Sequence, residues 1–214
     1  MGTLTSAPRT LRGAIVAVDP VSPISRTVIF QYNPDEFSRT LEPAGRESAS
    51  EGSGRTWGAP KESLSLTVEL DATDQLEAAG PGSVAIGIAP QLATLEMLLH
   101  PSSARVITNS ALLLAGTIEL LPIELPLTVL AWGPGRVLPV KITTLAVTEQ
   151  AFTPGLSPIR ASVEISADVL TYDDVSPTHV AFGLSLAHLV AKEVMASAAA
   201  VAGAGRTAAE MVGG

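Results

Sequence analysis

Residues 159–169 run Ile-Arg-Ala-Ser-Val-Glu-Ile-Ser-Ala-Asp-Val, and this alternation decides the fold class of the chain. Successive side chains of a strand point to opposite faces, so the stretch predicts a strand with one buried face and one polar face. Leu64–Leu70 repeats the pattern, with leucine and valine alternating with serine, threonine and glutamate. Half-buried strands of this kind are typical of antiparallel sheets.

Shorter apolar runs predict further strands. Ala14–Val18 and Thr27–Tyr32 are separated by a turn-rich connection too short for a crossover helix, which favours an antiparallel pair. Asn33-Pro34 then ends the second strand, because proline has no N–H for a sheet ladder. Three more strands are predicted, the last from a less regular pattern: Leu127–Trp132, Val137–Val147 and one within Val106–Glu119. The expected fold class is mainly β, an antiparallel barrel or sandwich.

Two segments have helical spacing. Pro90–His100 places leucines three and four residues apart and is followed by Pro101, which predicts one short internal helix. A second helix is predicted from about Gly183 to Ala200, because alanine is the strongest helix former and an apolar stripe runs along it. That stripe consists of Leu186, Leu189, Val190 and Val194. The helix can pack on its own barrel or against a neighbouring subunit, and we favour the neighbour; the glycine-containing last residues are expected to fray.

Composition limits the classes of function. The chain has 214 residues, a net charge of -8, 46% hydrophobic residues, 16% charged residues and no cysteine. Without cysteine, disulfides, thiolate catalysis and cysteine-containing metal sites are excluded. The acidic balance lacks the basic footprint of a nucleic-acid binder. The length suits one domain with an appendage, which we divide into a β domain over 1–174 and an Ala-rich helical extension over 175–214.

No membrane or targeting segment is predicted. Met1–Leu11 has no apolar core of a secretory signal. The most apolar stretch, Ala111–Trp132, is interrupted by two glutamates and two prolines, so buried strands explain it better than a bilayer span. The sequence therefore predicts a soluble protein.

A long polar loop is predicted over residues 41–61, where glycine, serine, glutamate and arginine dominate. Loops of this length in compact domains are usually functional or ordered by a partner. Trp57 is its one large apolar side chain, and two roles stay open for it. It can anchor a partner, as tryptophan does at interfaces, or fold back onto its own barrel.

The residues offer little catalytic chemistry. His100, His179 and His188 do not have metal-ligand spacing, and Asp173-Asp174 with His179 is explained by a polar turn. Gly183–Ala187 is near the spacing of a nucleophile elbow around Ser185, but alanine replaces the final glycine. Gly203–Gly205 resembles only the start of a dinucleotide fingerprint. We expect a non-enzyme without cofactors or metals, with a small hydrolase using Ser185 or an Asp/His site as the remote alternative.

Four segments together resemble a known family. The first is Phe30–Arg39, an aromatic strand followed by Asn-Pro and a polar stretch. The others are Leu64–Asp71, a strand ending in an acid; Val129–Gly133, a strand ending in Trp-Gly; and Phe152–Val163, with Phe, Gly and Pro-x-Arg-Ala. In order and spacing they are similar to the N-terminal domain of contractile-injection-system tube and baseplate proteins, the phage-tail-like adaptors that often carry a LysM domain.

The resemblance implies a tail-tube type β-barrel and a structural role in the inner baseplate ring that joins the tube to the spike or hub and the outer baseplate. It implies a hexameric homo-oligomer in the cytoplasm within an assembled particle, or outside the cell after release, without nucleic acid or membrane. The alternative is a tube or tube-initiator subunit. No LysM-like pattern follows Tyr172, so peptidoglycan binding is not carried over. The candidate interface residues are Asn33, Pro34, Trp57, Trp132, Arg160 and Leu189.

Overall fold

The computed structural model describes residues 11–18, 26–30, 32–44, 58–72, 87–116, 125–133 and 135–212, the last twelve as helical backbone only. The strands are β1 (Ala14–Val18), β2 (Arg26–Ile29), β3 (Phe37–Glu42), β4 (Lys61–Asp71), β5 (Leu127–Ala131), β6 (Val137–Phe152) and β7 (Pro158–Val169). The helices are α1 (Ala89–Glu96), α2 (Ser103–Leu114) and α3 (Val180–Val212). The mainly-β class predicted from the sequence is confirmed.

The strands form one antiparallel sheet in the order β2-β1-β5-β6-β7-β4-β3. The predicted pairing of the first two strands is confirmed, with Ala14 opposite Ile29. The alternating strands β4 and β7 are neighbours, with Val68 opposite Val163. Both have their alternate apolar side chains buried, because this face of the sheet covers the core.

The sheet is not closed into a barrel, and a sandwich does not form from the described strands, so these finer expectations differ from what is found. Its two end strands, β2 and β3, come together through side chains: Trp132 lies 6.2 Å from Phe30 and 4.9 Å from Phe37 between ring centroids. The chain between the end strands contains Asn33 and Pro34. Because proline has no N–H to donate, Pro34 cannot continue the backbone hydrogen bonding of either strand into this connection.

One predicted element is wrong. The segment around Val106, expected to contribute a strand, is the helix α2, and residues 117–119 of the predicted strand lie outside the described residues. The β-branched residues 106–108 favour a strand, but the leucines and alanine that follow favour a helix. The hydroxyls of Thr108 and Ser110 donate to carbonyls one turn earlier, which satisfies them within the helix. The described part of the chain therefore has two internal helices where one was expected.

Helix α1 closes the core. Leu95, Leu98 and the preceding Ile88 are buried against the apolar face of the sheet. The Ile88 N–H donates to the Pro158 carbonyl at 3.0 Å, which holds the start of the helix against β7. Gly87 makes this approach possible, since a Cβ at its φ of +57° would lie 2.1 Å from the Pro158 oxygen.

The predicted C-terminal helix is confirmed and is longer than expected. It begins at Val180 and its backbone continues through Val212, across the glycines where fraying was expected. From Glu193 to Ala200 every side chain is exposed, whereas Ala181 and His188 are buried. The first half of α3 is thus docked on the body, and the described part of its second half is not.

Candidate functional site

A buried carboxylate lies where the C-terminal helix meets the sheet. Glu62 occupies the inward-facing register of β4 and is 5% exposed. Its Oε1 accepts a hydrogen bond from Arg39 Nε at 2.7 Å, and its Oε2 accepts one from Lys192 Nζ at 2.9 Å. Arg39 lies on β3 and Lys192 on α3. One carboxylate therefore ties together an end strand, its neighbour and the helix, and we call these three residues the Glu62 triad.

Opposing effects act on the Glu62 carboxyl. Burial by itself raises its pKa, because the charged form loses water. The hydrogen bonds from Lys192 and Arg39, together with their positive charges, outweigh burial and lower the pKa below its usual range. Glu62 is therefore charged at neutral pH, and the triad is a true ion network rather than a neutral hydrogen-bonded group.

A small cavity of about 70 Å³ lies beside the triad, under α3. Its polar lining includes Glu62, Lys192, Ser185 and His188, and the remaining wall is mostly apolar. His188 is 9% exposed, and within the described part of the chain neither of its ring nitrogens has a hydrogen-bond partner. Burial, and then the charge of Lys192, lower the pKa of His188 although Glu62 opposes them. The imidazole is thus held in its neutral form.

The Glu62 triad was not predicted from the sequence. Glu62 stands two residues before Leu64, in phase with the buried positions of β4, and a carboxylate in that phase is the signal that could have indicated a buried ion pair. Nothing in the sequence pairs it with Lys192, which lies 130 residues away. His188 was considered only as a metal ligand.

Asn33 fastens the chain onto the first strand. Its side-chain Oδ1 accepts the Gly13 N–H at 2.9 Å, and its Nδ2 donates to the Leu11 carbonyl at 2.7 Å. These bonds give Asn33 an intramolecular role beyond ending a strand. Pro34 beside it is half-buried and lines an open groove along the polar face of the sheet.

Trp132 is half-buried and caps the core where the two ends of the sheet meet. It stacks on Phe37, over whose ring the Arg136 guanidinium lies at 5.7 Å. Gly133 follows with a φ of +74°, so the turn after Trp132 uses the backbone freedom that glycine provides. The Trp-Gly pair after β5 therefore caps the core and begins a turn.

Arg160 pairs within its own sheet. Its Nε and Nη2 donate to Asp71 Oδ2 at 2.9 and 2.7 Å, and the two residues are opposite each other on β7 and β4. The guanidinium proposed as an interface group is therefore paired with a carboxylate of the same chain. Arg160 is also half exposed in the open groove, whose volume is about 1080 Å³. The charged lining there combines this one guanidinium with five carboxylates: Asp35, Glu36, Glu69, Asp71 and Glu164.

Of the two remaining interface candidates, the structure describes Leu189 but not Trp57. Leu189 lies on α3, 37% exposed at the edge of the small cavity, so it has both a docked and an open side. Trp57 lies outside the described residues, as do residues 45–57 of the predicted loop. At the ends of that loop, residues 41 and 42 complete β3 and Lys61 begins β4.

The residues considered for hydrolysis have structural contacts. Ser185 donates its hydroxyl to the Phe182 carbonyl at 3.0 Å, and His179 Nδ1 accepts the Ala181 N–H at the start of α3. Asp173 and Asp174 accept backbone N–H groups of Ala59 and Thr171. His100 is exposed beyond the end of α1. Among the described residues, no three His, Asp or Glu side chains are grouped as a metal would need.

Two helices carry uncovered apolar side chains. Helix α2 buries none of its residues, and Ile107 and Leu114 are 68% and 88% exposed. On α3 the exposed apolar residues are Val180, Leu186, Leu189, Val190, Val194 and Met195. By length and composition alone, Val180–Ala200 also qualifies as a membrane-crossing helix. Core helices of soluble proteins can have the same length and apolar composition.

No family model matches the chain, and no curated protein matches it. The likeness to tube and baseplate proteins therefore depends on the four segments quoted above. Two of them meet in the structure, because Trp132 of one contacts Phe30 and Phe37 of the other.

Proposed function

We propose that this chain is a structural, non-catalytic subunit of a contractile phage-tail-like particle, in the inner baseplate ring between tube, spike or hub and outer baseplate. The observation that carries the proposal is α2, a twelve-residue helix with no buried residue. Most helical stability in proteins comes from packing an apolar face. A helix with several exposed leucines and no buried residue suits a surface that other subunits cover.

The ends of the sheet support the same role. Among the described strands, β3 is paired with β4 alone, so its other edge presents main-chain donors and acceptors to a further strand. Such edges are suited to pairing with a strand of another chain. In the proposed tail-tube type arrangement, six copies contact one another head to tail and close into a ring. The number six comes from the family resemblance.

The resemblance to tube and baseplate proteins is the reason for proposing a contractile particle and not another kind of assembly. The four segments occur in the family's order, and Phe30–Arg39 contributes both an end of the core and the chain around Asn33. Tube, spike or hub and other baseplate proteins are the proposed partners. Nucleic acid, membrane and cofactors have no part in the proposal, and assembly takes place in the cytoplasm.

The test is the protein's place and copy number in purified particles. Particles isolated from the source cells are analysed by quantitative mass spectrometry, with the sheath protein as the internal reference. A fixed low copy number at one end of the tube supports a baseplate ring, whereas a copy number that grows with tube length supports the tube subunit. Intact particles that lack this chain, or a strain without its gene that builds functional baseplates, would refute both.

A further inference from the structure

His188 is placed where a positive charge has little compensation. It lies on the docked face of α3, four residues before Lys192, and its ring borders the small cavity against the sheet. At 9% exposure it has little access to water, and no described residue is hydrogen-bonded to either nitrogen. Burying an ion without a partner is costly, so this position suits the neutral imidazole.

The charged groups around His188 come from four parts of the fold. They are Lys192 on α3, Glu62 on β4, Arg39 on β3 and Arg136 before β6. Three are cations and one is an anion. Both oxygens of Glu62 already accept hydrogen bonds from Arg39 and Lys192. The phenol of Tyr172 also borders the cavity. Protonated His188 would add a cation to surroundings that are already positive on balance.

We infer that His188 is an acid-sensitive latch: its protonation releases the first half of α3 from the sheet. Undocking exposes the imidazole to water, where it carries the proton at little cost, and separates it from Arg39, Glu62 and Arg136. The inference goes beyond the proposed function and stands without it, because docking of α3 is an event within one chain.

The direction with pH follows from linkage. The docked state has a lowered pKa at His188, mainly because of burial and then Lys192, while the undocked helix has the ordinary value near 6.5. The undocked form therefore binds more protons as pH falls below that value, and docking weakens until the docked pKa is passed. One proton linked to the step changes the docking equilibrium by up to about tenfold per pH unit in this window.

The experiment is amide hydrogen exchange on the full chain between pH 7.5 and 5.0, corrected for intrinsic exchange rates. In the natural sequence we expect protection at residues 184–192 to fall by up to about tenfold per pH unit below 6.5, while β7 stays protected. His188→Gln, which cannot take up the proton, should remove this dependence. His188→Leu serves the same purpose if the amide disturbs docking at pH 7.5. The inference is overturned if protection of residues 184–192 does not depend on pH in the natural sequence. It is also overturned if the same dependence persists in whichever of the two His188 variants remains docked at pH 7.5.

Two further variants separate His188 from its neighbours. His179→Asn is the matched control, because it removes the other histidine of the α3 start while keeping a side-chain acceptor for the Ala181 N–H. It should retain the full pH dependence, and its loss there would assign the effect to the helix cap instead. Lys192→Met removes the cation with the largest effect on His188 and frees Glu62 Oε2 to accept a hydrogen bond from the protonated imidazole. In that variant the response to acid should shrink or reverse, and an undiminished response would contradict the electrostatic argument.

Discussion

Lys192 Nζ donates to Glu62 Oε2 at 2.9 Å, so a cation on the C-terminal helix neutralises a carboxylate buried at the start of a strand 130 residues earlier. Arg39 holds the other oxygen from the end strand of the sheet. Removing one member of such a network leaves the others with an uncompensated charge, so the helix, β4 and β3 depend on each other for stability.

The first prediction concerns this ion pair. Lys192→Met should lower the free energy of unfolding by about 1–2 kcal/mol, because Glu62 stays buried with only Arg39 to compensate it and Lys192 is itself partly exposed. Urea denaturation followed by circular dichroism measures the change. Glu193→Gln, on the exposed side of the same helix, is the control and should change stability by less than about 0.5 kcal/mol. Equal effects of the two substitutions would contradict a buried network.

The second prediction concerns acid stability. The pKa of Glu62 is lowered in the folded chain, so its contribution is fully present above its ordinary value of 4.5 and is lost as pH falls through the lower folded value. Glu62→Gln should therefore flatten the decline of stability below pH 4.5 relative to the natural sequence. Denaturant titrations at a series of pH values test this, and parallel curves for the two proteins would show that Glu62 is not the group responsible.

The third prediction uses two glycines with positive φ. Gly87→Ala should destabilise the protein by about 3 kcal/mol, because its Cβ would meet the Pro158 carbonyl in addition to the backbone strain. Gly116→Ala, at a φ of +78° with open space around the added carbon, has the strain alone and should cost about 1 kcal/mol or less. Thermal unfolding of both variants measures the difference; similar melting temperatures would argue against the close approach at Gly87.

The fourth prediction tests the aromatic contact between the sheet ends. Trp132→Ala should cost about 2–4 kcal/mol, since it removes a half-buried ring packed on Phe30 and Phe37. Phe152→Ala, an exposed aromatic at the end of β6, should cost less than about 0.5 kcal/mol. Chemical denaturation compares the two, and a small effect at Trp132 would mean that the ends of the sheet are held by something else.

The fifth prediction tests whether α2 is an assembly surface. Ile107→Glu with Leu114→Glu should leave the stability of the isolated subunit within about 0.5 kcal/mol, because both side chains are exposed, but should abolish incorporation into particles. Thr108→Glu with Ser110→Glu, at two other exposed positions of the same helix, is the charge-matched control and should incorporate normally. Incorporation is measured by co-sedimentation of tagged variants with particles. Normal incorporation of the double variant would remove α2 from the proposed interface.

Much of the sheet could be predicted because its strands have one buried face. The alternation in Leu64–Leu70 and Ile159–Val169 reflects burial directly, and both segments are strands, although β4 begins three residues earlier than predicted, at Lys61. The segment after Ser103 was mispredicted because α2 buries nothing, so no burial pattern is imposed on its sequence. The open sheet was not foreseen either, since closure depends on how distant strands meet.

The Glu62 triad and the neighbouring His188 were the part of the structure that the sequence predicted least. The buried phase of Glu62 is a local signal, but its partners come from β3 and α3, and their approach depends on the tertiary fold. His188 likewise differs from the two other histidines only through its burial against the sheet.

The junction between β2 and β3 gives the molecule a particular mechanical property. Because Phe30, Trp132 and Phe37 join the two ends there by ring contacts, and no ladder links β2 to β3 among the described residues, moving these strands apart breaks no backbone hydrogen bond between them. A change in the distance between β2 and β3 therefore needs only a shift of these rings, whereas separating any two neighbouring strands of the sheet would break a row of backbone hydrogen bonds.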